Sequence, residues 1–336
     1  MNKNEILSSA NFKRKCDIVY SANVSYEEYE RLENNNTIVL QKTNDYIFYK
    51  LKEFEIKSYD TIFCNNFTLK PLFKSLSDKP TLENINLVTH QTDLNVTKEI
   101  FNKKPDSIVN WSSINVDFKN ETLHPIPLGI GNSFQDKYLN IDKVANNLKI
   151  FKFDKEPKIY LNFRENTNTD HRKNLKNIFK NYSWANISDS NLNLSQYNYE
   201  IAEHSFALAP WGNGIDTHRI WESLYCGTIP ITKYHYTLST LKDLPVLFVN
   251  EYEDISLELL NSTLEYFSES KFNFNKLKVD YWLYEYSKNE SSLINIQESK
   301  FYNLTFNNTF RLGRYFESKK KIVFYYLRKI FNFLNS

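Results

Sequence analysis

The sequence alternates short apolar runs with longer polar or amphipathic segments, and this alternation limits the folds available to the chain. In the first third, the runs lie at residues 37–41, 61–64, 85–90 and 107–111. Runs of this length, bounded by turn residues, are typical of buried strands. Residues 46–56 and 93–102 lie between runs and are expected to be helices. Strands that alternate with helices predict βα units around a parallel sheet.

A second series of apolar runs follows a polar stretch at residues 136–157, which is expected to be a linker. Its runs lie at residues 158–163, 206–209, 228–232 and 246–249. A chain of 336 residues is also long for a single core, and domains of about 100–200 residues are usual. We therefore expect an α/β protein with two domains, residues 1–145 and 146–305, that face a cleft.

The C-terminal residues 306–336 differ from both domains because cations and apolar side chains are interleaved. Lys319, Lys320 and Lys321 are consecutive, and Arg328 and Lys329 follow about two helical turns later. This pattern predicts a basic amphipathic helix. Two alternatives stay open. The helix binds an anionic membrane surface, from which truncation would release the protein, or it packs on the N-terminal domain.

Composition and charge exclude several classes of protein. The net charge is only +2, so no general basic surface points to nucleic acid. The three cysteines, Cys16, Cys64 and Cys226, form neither a disulfide framework nor a metal-binding spacing. The N-terminal residues are too polar for a signal peptide. We therefore expect a cytoplasmic location. If the tail binds lipid, the protein would be peripheral at the inner face of a membrane.

The segment "FALAPWGNGIDTHRIWESLYCGTIPI", residues 206–231, changes character twice. A buried strand is broken by a loop that contains Pro210, Gly212 and Gly214. A helix is expected next, with Asp216 or Thr217 as its N-cap, and Gly227 marks its end. Arg219 lies in the first turn, where the helix dipole disfavours a cation by roughly 0.3–1 kcal/mol. A bound anion would make the local electrostatic potential favourable for a cation.

Two readings of the segment are possible. Glycines let a ligand approach the backbone, and helix N–H groups beside a cation form an anion site. These features predict a pyrophosphate site, with Glu222 one turn later accepting from ribose hydroxyls. Its candidate residues are Asn213, Gly214, Asp216, Thr217, His218, Arg219 and Glu222. The alternative is ordinary helix packing with an Arg219–Glu222 salt bridge, which contributes only about 0.2–0.5 kcal/mol.

Residues 205–232 resemble the donor-site motif of exostosin-type glycosyltransferases and their bacterial relatives. The order is a strand, a glycine-rich loop, Thr-x-Arg, Trp-Glu-x-Leu and Gly-x-x-Pro-Ile. The segment is also similar to the α-1,3-fucosyltransferase pattern, in which Thr217 and Arg219 take the Thr and Lys places. The resemblance implies a GT-B fold, with two Rossmann-like domains and a nucleotide-sugar bound by the C-terminal one. Residues 1–145 would then form the acceptor-side domain.

Chemistry at the implied site needs a base and a counter-charge for the leaving diphosphate. His90 and Asp93 follow a strand and could accept the acceptor's proton, although Thr92 or Asp93 could instead be a helix N-cap. No Asp-x-Asp pair, the usual ligand of a divalent ion in such enzymes, occurs in the sequence. Cations can replace the metal. The candidates are Arg164, Arg172 and Arg219.

We therefore expect a metal-independent, inverting glycosyltransferase with no cofactor. Its partners would be a nucleotide-sugar donor and a cell-surface polysaccharide or glycolipid acceptor, and no nucleic acid. One alternative is a fucosyltransferase-like enzyme that uses a GDP-sugar. Another is a non-catalytic protein of the same fold that binds a nucleotide-sugar or glycan.

Overall fold

The computed structural model describes residues 1–32, 34–132, 134, 139–146, 151–188, 192–283, 293–297, 307 and 310. The helices are α1 (Ser9–Arg14), α2 (Tyr26–Glu30), α3 (Leu69–Ser77), α4 (Lys98–Phe101), α5 (Ile141–Asn146), α6 (Thr169–Arg172), α7 (Leu175–Phe179), α8 (Leu194–Glu203), α9 (His218–Tyr225) and α10 (Leu257–Glu269). The strands are β1 (Ile18–Val19), β2 (Ser21–Val24), β3 (Thr37–Lys42), β4 (Ile47–Leu51), β5 (Glu53–Ile56), β6 (Thr61–Asn65), β7 (Ile85–His90), β8 (Ile108–Ser113), β9 (Leu123–Pro125), β10 (Ile159–Leu161), β11 (Ala185–Ile187), β12 (Phe206–Leu208), β13 (Ile229–Lys233), β14 (Leu247–Val249) and β15 (Ile294–Gln297).

A parallel five-stranded sheet in the order β1-β6-β7-β8-β9 forms the centre of the N-terminal half. Three predicted strands become its middle members β6, β7 and β8. All six residues of β7 are buried, because neighbouring strands flank it and side chains cover both faces of the sheet. The fourth predicted strand, β3, lies instead in a separate antiparallel sheet with the order β2-β4-β3.

Residues 46–56 form strands β4 and β5 and not the predicted helix. Strand β4 is central in its sheet, paired with β2 on one side and β3 on the other, and its first four residues are all buried. Its sequence Ile-Phe-Tyr-Lys-Leu is rich in residues that pack well on a pleated surface. The helix predicted at residues 93–102 is limited to α4, whose N-cap is Thr97 and not Thr92 or Asp93.

A second parallel five-stranded sheet, in the order β11-β10-β12-β13-β14, forms the C-terminal half. The four predicted runs become β10, β12, β13 and β14, and β11 was not predicted. The α/β class with parallel sheets is therefore confirmed. The stretch at residues 136–157, predicted to be a polar linker, contains helix α5.

The two halves contact each other through buried hydrogen bonds as well as apolar packing. The Tyr225 hydroxyl of α9 accepts from the Leu7 N–H at 2.8 Å and donates to the Leu277 carbonyl at 2.6 Å. Strand β15 falls within the predicted C-terminal domain, yet it pairs with β5, with Ile294 opposite Ile56. The domain boundary at residue 145 stays a prediction.

The predicted tail helix at residues 306–336 lies outside the described residues, apart from Asn307 and Phe310. Phe310 packs edge-on against Phe48 and Phe67, with ring centroids 5.7 and 5.8 Å apart. Within the described ranges, the helices are too short or too polar to cross a bilayer.

Candidate functional site

A cleft of about 1690 Å³ lies where strands of both parallel sheets end. Strands β6 and β7 end at Asn65 and His90, which line the cleft from the N-terminal half. Asn162 follows β10 and Gly212 follows β12, and both line it from the C-terminal half. Parallel α/β sheets bind ligands at the carboxyl ends of their strands. The cleft is therefore the candidate site.

The loop after β12 is held in place by Arg172. The guanidinium Nε donates to the Trp211 carbonyl at 2.8 Å, Nη2 donates to the Pro210 carbonyl at 2.9 Å, and Nη1 donates to the Arg164 carbonyl at 3.2 Å. The guanidinium also lies 5.7 Å from the Phe163 ring centroid. Arg172 is thus committed to ordering the loop, in contrast to its predicted role as a counter-charge for a diphosphate.

The two glycines of this loop make room for protein side chains. A Cβ atom at Gly212 would lie 3.1 Å from Arg172 Nη2, and one at Gly214 would lie 3.0 Å from Asn115 Nδ2. Both glycines line the cleft, so close approach of a ligand to this backbone stays a prediction. Asn213, between the two glycines, is exposed and lines the cleft.

Asp216 is buried and connects α9 to the N-terminal half. Its carboxylate accepts from the Leu128 N–H at 2.8 Å and from Trp221 Nε1 at 2.9 and 3.1 Å. Burial raises the pKa of Asp216 to about 7, although these donors and the Thr217 N–H favour the charged form. The Asp216 side chain points into the protein and makes this connection in place of the predicted ligand contact and N-cap role.

Helix α9 begins after Thr217, whose side chain makes no capping hydrogen bond. Thr217 Oγ1 and Arg219 Nη1 are both buried without a hydrogen-bond partner among the described residues, and both residues line the cleft. A buried polar group without a partner is destabilising by about 1–3 kcal/mol. Both groups are hydrogen-bond donors, and they lie at the positive end of the helix, where an anion is favoured.

Arg219 and Glu222 do not form the salt bridge of the alternative reading. The Glu222 carboxylate accepts from the Tyr197 hydroxyl at 2.7 Å and from the Leu139 N–H at 3.1 Å, and the residue is 2% exposed. The Arg219 guanidinium instead lies over the Tyr197 ring, 5.1 Å from its centroid. Both carboxylate oxygens of Glu222 are thus engaged within the protein, and the predicted ribose contact finds no freely exposed oxygen.

His90 is unsuited to the predicted role of catalytic base. Its Nδ1 accepts from the Gln91 N–H at 2.8 Å, so its Nε2 carries the proton and donates to the Pro127 carbonyl at 3.3 Å. The residue is 1% exposed. Burial lowers the pKa of His90 to about 3. Neither nitrogen is available to a substrate hydroxyl, because both are engaged with the backbone.

Three other predicted residues line the cleft. Asp93 is exposed, and its side chain makes no hydrogen bond or ion pair with the described part of the chain. Arg164 is also exposed and lies three residues after the end of β10. His218 Nδ1 donates to the Gly129 carbonyl at 2.7 Å. Asp93 therefore stays the candidate base, and Arg164 stays a candidate cation.

Sequence reasoning missed two contributors to this site. Tyr197 of α8 carries the ring beneath Arg219. Asn115 adopts a positive φ of 53°, and its side chain accepts from the Asp216 N–H at 3.4 Å and donates to the Thr92 carbonyl at 3.3 Å. No local motif marks either residue, because each acts through a contact with a segment distant in the sequence.

The described residues contain no group of three or more His, Cys, Asp or Glu side chains that could hold a metal ion. No protein-family model matches the sequence, and no curated protein matches it. Two solved α1,3-fucosyltransferase structures resemble the fold distantly. One is 14% identical, with a TM-score of 0.31, over 66% of this chain and 68% of that chain. The other, a complex with GDP-fucose, is 14% identical, with a TM-score of 0.28, over 76% of this chain and 91% of that chain.

Proposed function

We propose that the protein is a glycosyltransferase that binds the diphosphate of a nucleotide-sugar at the start of α9. The observation that supports this most directly is the pair of unpartnered buried groups in the cleft, Thr217 Oγ1 and Arg219 Nη1. A diphosphate oxygen can accept from both, and it favours the cationic residue that the helix dipole disfavours. The resemblance of residues 205–232 to exostosin-type glycosyltransferases points the same way.

The proposed transfer is a single displacement with inversion. An acceptor hydroxyl oxygen attacks the anomeric carbon of the donor sugar, and Asp93 takes the hydroxyl proton. The bond between the anomeric carbon and the diphosphate oxygen breaks, and its electron pair leaves with the nucleoside diphosphate. Arg219 stabilises the negative charge that develops on the leaving group. We propose a cell-surface polysaccharide or glycolipid as the acceptor and the cytoplasm as the location.

A non-catalytic nucleotide-sugar-binding protein is the second candidate, because no described neighbour orients the Asp93 side chain. Release of the nucleotide, a diphosphate from UDP-, GDP- and dTDP-sugars and a monophosphate from CMP-sugars, separates the two. A binding protein would be stabilised by one of these ligands but would release no nucleotide with any acceptor.

The test of the diphosphate site is Arg219→Ala. Loss of one charge-assisted contact should reduce the stabilisation of the transition state by about 2–4 kcal/mol. The affinity for the nucleoside diphosphate should fall, while the affinity for the nucleoside is retained. The melting temperature should be unchanged or higher, because an unfavourable cation leaves the helix start.

Lys271→Ala is the matched control, since it removes one positive charge from an exposed position outside the cleft. Binding is measured by thermal shift and calorimetry with UDP, GDP, CMP and dTDP. If Arg219→Ala binds the stabilising nucleotide as well as the wild type does, the proposed site is wrong.

A further inference from the structure

The cation of the proposed diphosphate site is held by a short chain of contacts between two helices. Arg219 of α9 lies over the ring of Tyr197 from α8, and the Tyr197 hydroxyl donates to Glu222 of α9. Glu222 also accepts from the Leu139 N–H, which reaches it from the segment before α5. All three side chains line the cleft, but only Arg219 presents a polar atom without a partner.

The aromatic ring determines where the guanidinium can lie. Tyr197 is 7% exposed and Glu222 is 2% exposed, so neither side chain can move far without leaving a cavity. A cation over an aromatic face is attracted by the negative charge of the ring's π-electrons, most strongly when desolvated. The hydrogen bond to the Glu222 carboxylate fixes the rotation of the phenol and increases the negative charge on its ring.

We propose that Tyr197 and Glu222 are positioning residues for Arg219. Glu222 acts through Tyr197, and Tyr197 acts through Arg219, so that the guanidinium meets the diphosphate in one orientation. This inference rests on the proposed function. It replaces the ribose contact expected of Glu222 with a role that concerns the diphosphate alone.

A positioning role for Tyr197 should affect binding of the diphosphate and not binding of the nucleoside. Tyr197→Leu should weaken the affinity for UDP or GDP, whichever stabilises the wild type, on the order of tenfold. It should leave the affinity for uridine or guanosine unchanged. Tyr197→Phe, which keeps the ring but loses the hydrogen bond to Glu222, should give a diphosphate affinity between those of the wild type and Tyr197→Leu. Tyr199→Leu, a 62% exposed position on the same helix, is the control and should change neither affinity.

A double-mutant cycle separates positioning from general support of the fold. In an Arg219→Ala background, Tyr197→Leu should cause no further loss of diphosphate affinity, because the group it positions is gone. Glu222→Gln supplies a second variant if Tyr197→Leu does not fold. It should weaken diphosphate binding and spare nucleoside binding, and it too should have no effect beyond that of Arg219→Ala.

The binding results distinguish failure of the positioning role from failure of the proposed function. Two results would overturn the positioning role while the proposed function stands. One is that Tyr197→Leu lowers the diphosphate affinity equally with and without Arg219. The other is that Glu222→Gln lowers the nucleoside affinity as much as the diphosphate affinity. A wild-type protein that binds none of the nucleotides would overturn the proposed function itself. Calorimetric titration of each variant, beside its melting curve, gives every one of these readouts.

Discussion

A single side chain, Arg219, carries two unfavourable features that its described neighbours relieve only in part. Its charge lies in the first turn of α9, and its Nη1 is buried without a hydrogen-bond partner among the described residues. Stacking on Tyr197 offsets part of this cost. Structural strain that persists in a native protein tends to mark functional positions, and a ligand anion would remove both features together.

At the same scale, cations rather than a metal are expected to balance the leaving diphosphate. Arg219 and the exposed Arg164 both line the cleft, whereas Arg172 is engaged with three carbonyl groups. Transfer should therefore survive excess EDTA with its rate essentially unchanged. The assay compares nucleotide release with EDTA, and with EDTA followed by excess magnesium or manganese. Loss of the reaction in EDTA and its return with either ion would reject the metal-free mechanism.

At the scale of elements, the loop after β9 is fixed by side chains from both halves. Over three consecutive residues, the Pro127 carbonyl accepts from His90, the Leu128 N–H donates to Asp216 and the Gly129 carbonyl accepts from His218. The Ile130 N–H then donates to the Leu7 carbonyl at 2.9 Å. This loop therefore sets the position of α9 relative to the N-terminal sheet.

Gly129→Ala should destabilise the protein strongly. Its φ is +70°, and a Cβ atom there would overlap the Leu7 carbonyl oxygen. Because backbone atoms cannot give way as side chains do, the free energy of unfolding should fall by at least about 2 kcal/mol. Gly212→Ala is the control, since the nearest atom is the flexible end of Arg172. Urea unfolding measures both, and equal losses would contradict the role assigned to this loop.

At the scale of the whole molecule, two buried groups make stability depend on pH in opposite directions. The pKa of His90 falls from 6.5 to about 3 on folding. The unfolded chain then binds the extra proton, and stability falls as the pH drops below about 6.5. The pKa of Asp216 rises from 3.8 to about 7. The folded protein holds that proton, and stability falls as the pH rises from about 4 towards 7.

The wild type should consequently show a shallow pH profile between about pH 4 and 6.5, because the two effects oppose each other. In His90→Gln, the free energy of unfolding should fall as the pH rises. In Asp216→Asn, it should rise with the pH. Urea titrations at half-unit steps from pH 4 to 8 measure the free energy of unfolding of each variant. Slopes of the same sign in both variants would contradict this account.

The sequence was most informative where local pattern and burial agree. Strands such as β7 and β12 were predictable because parallel strands buried on both faces form continuous apolar runs, and Arg219 and Asp93 were placed at the cleft by following such strands. Strand β4 was missed although it forms a hairpin with its neighbour β3, because its first four residues are all buried and show no alternating pattern. His90 was misjudged and Tyr197 overlooked for a different reason, since burial and inter-helix contacts depend on tertiary packing and leave no local signal.

The pairing of β15 with β5 has a consequence for synthesis of the chain on the ribosome. The paired residues are about 240 positions apart, and contacts of such long range form late in folding. At roughly 5–20 residues per second, tens of seconds separate the emergence of the two strands. During that interval β5 presents an uncovered strand edge, which other chains can pair with. A nascent chain of this protein is therefore expected to depend on chaperone protection until the last described strand has been made.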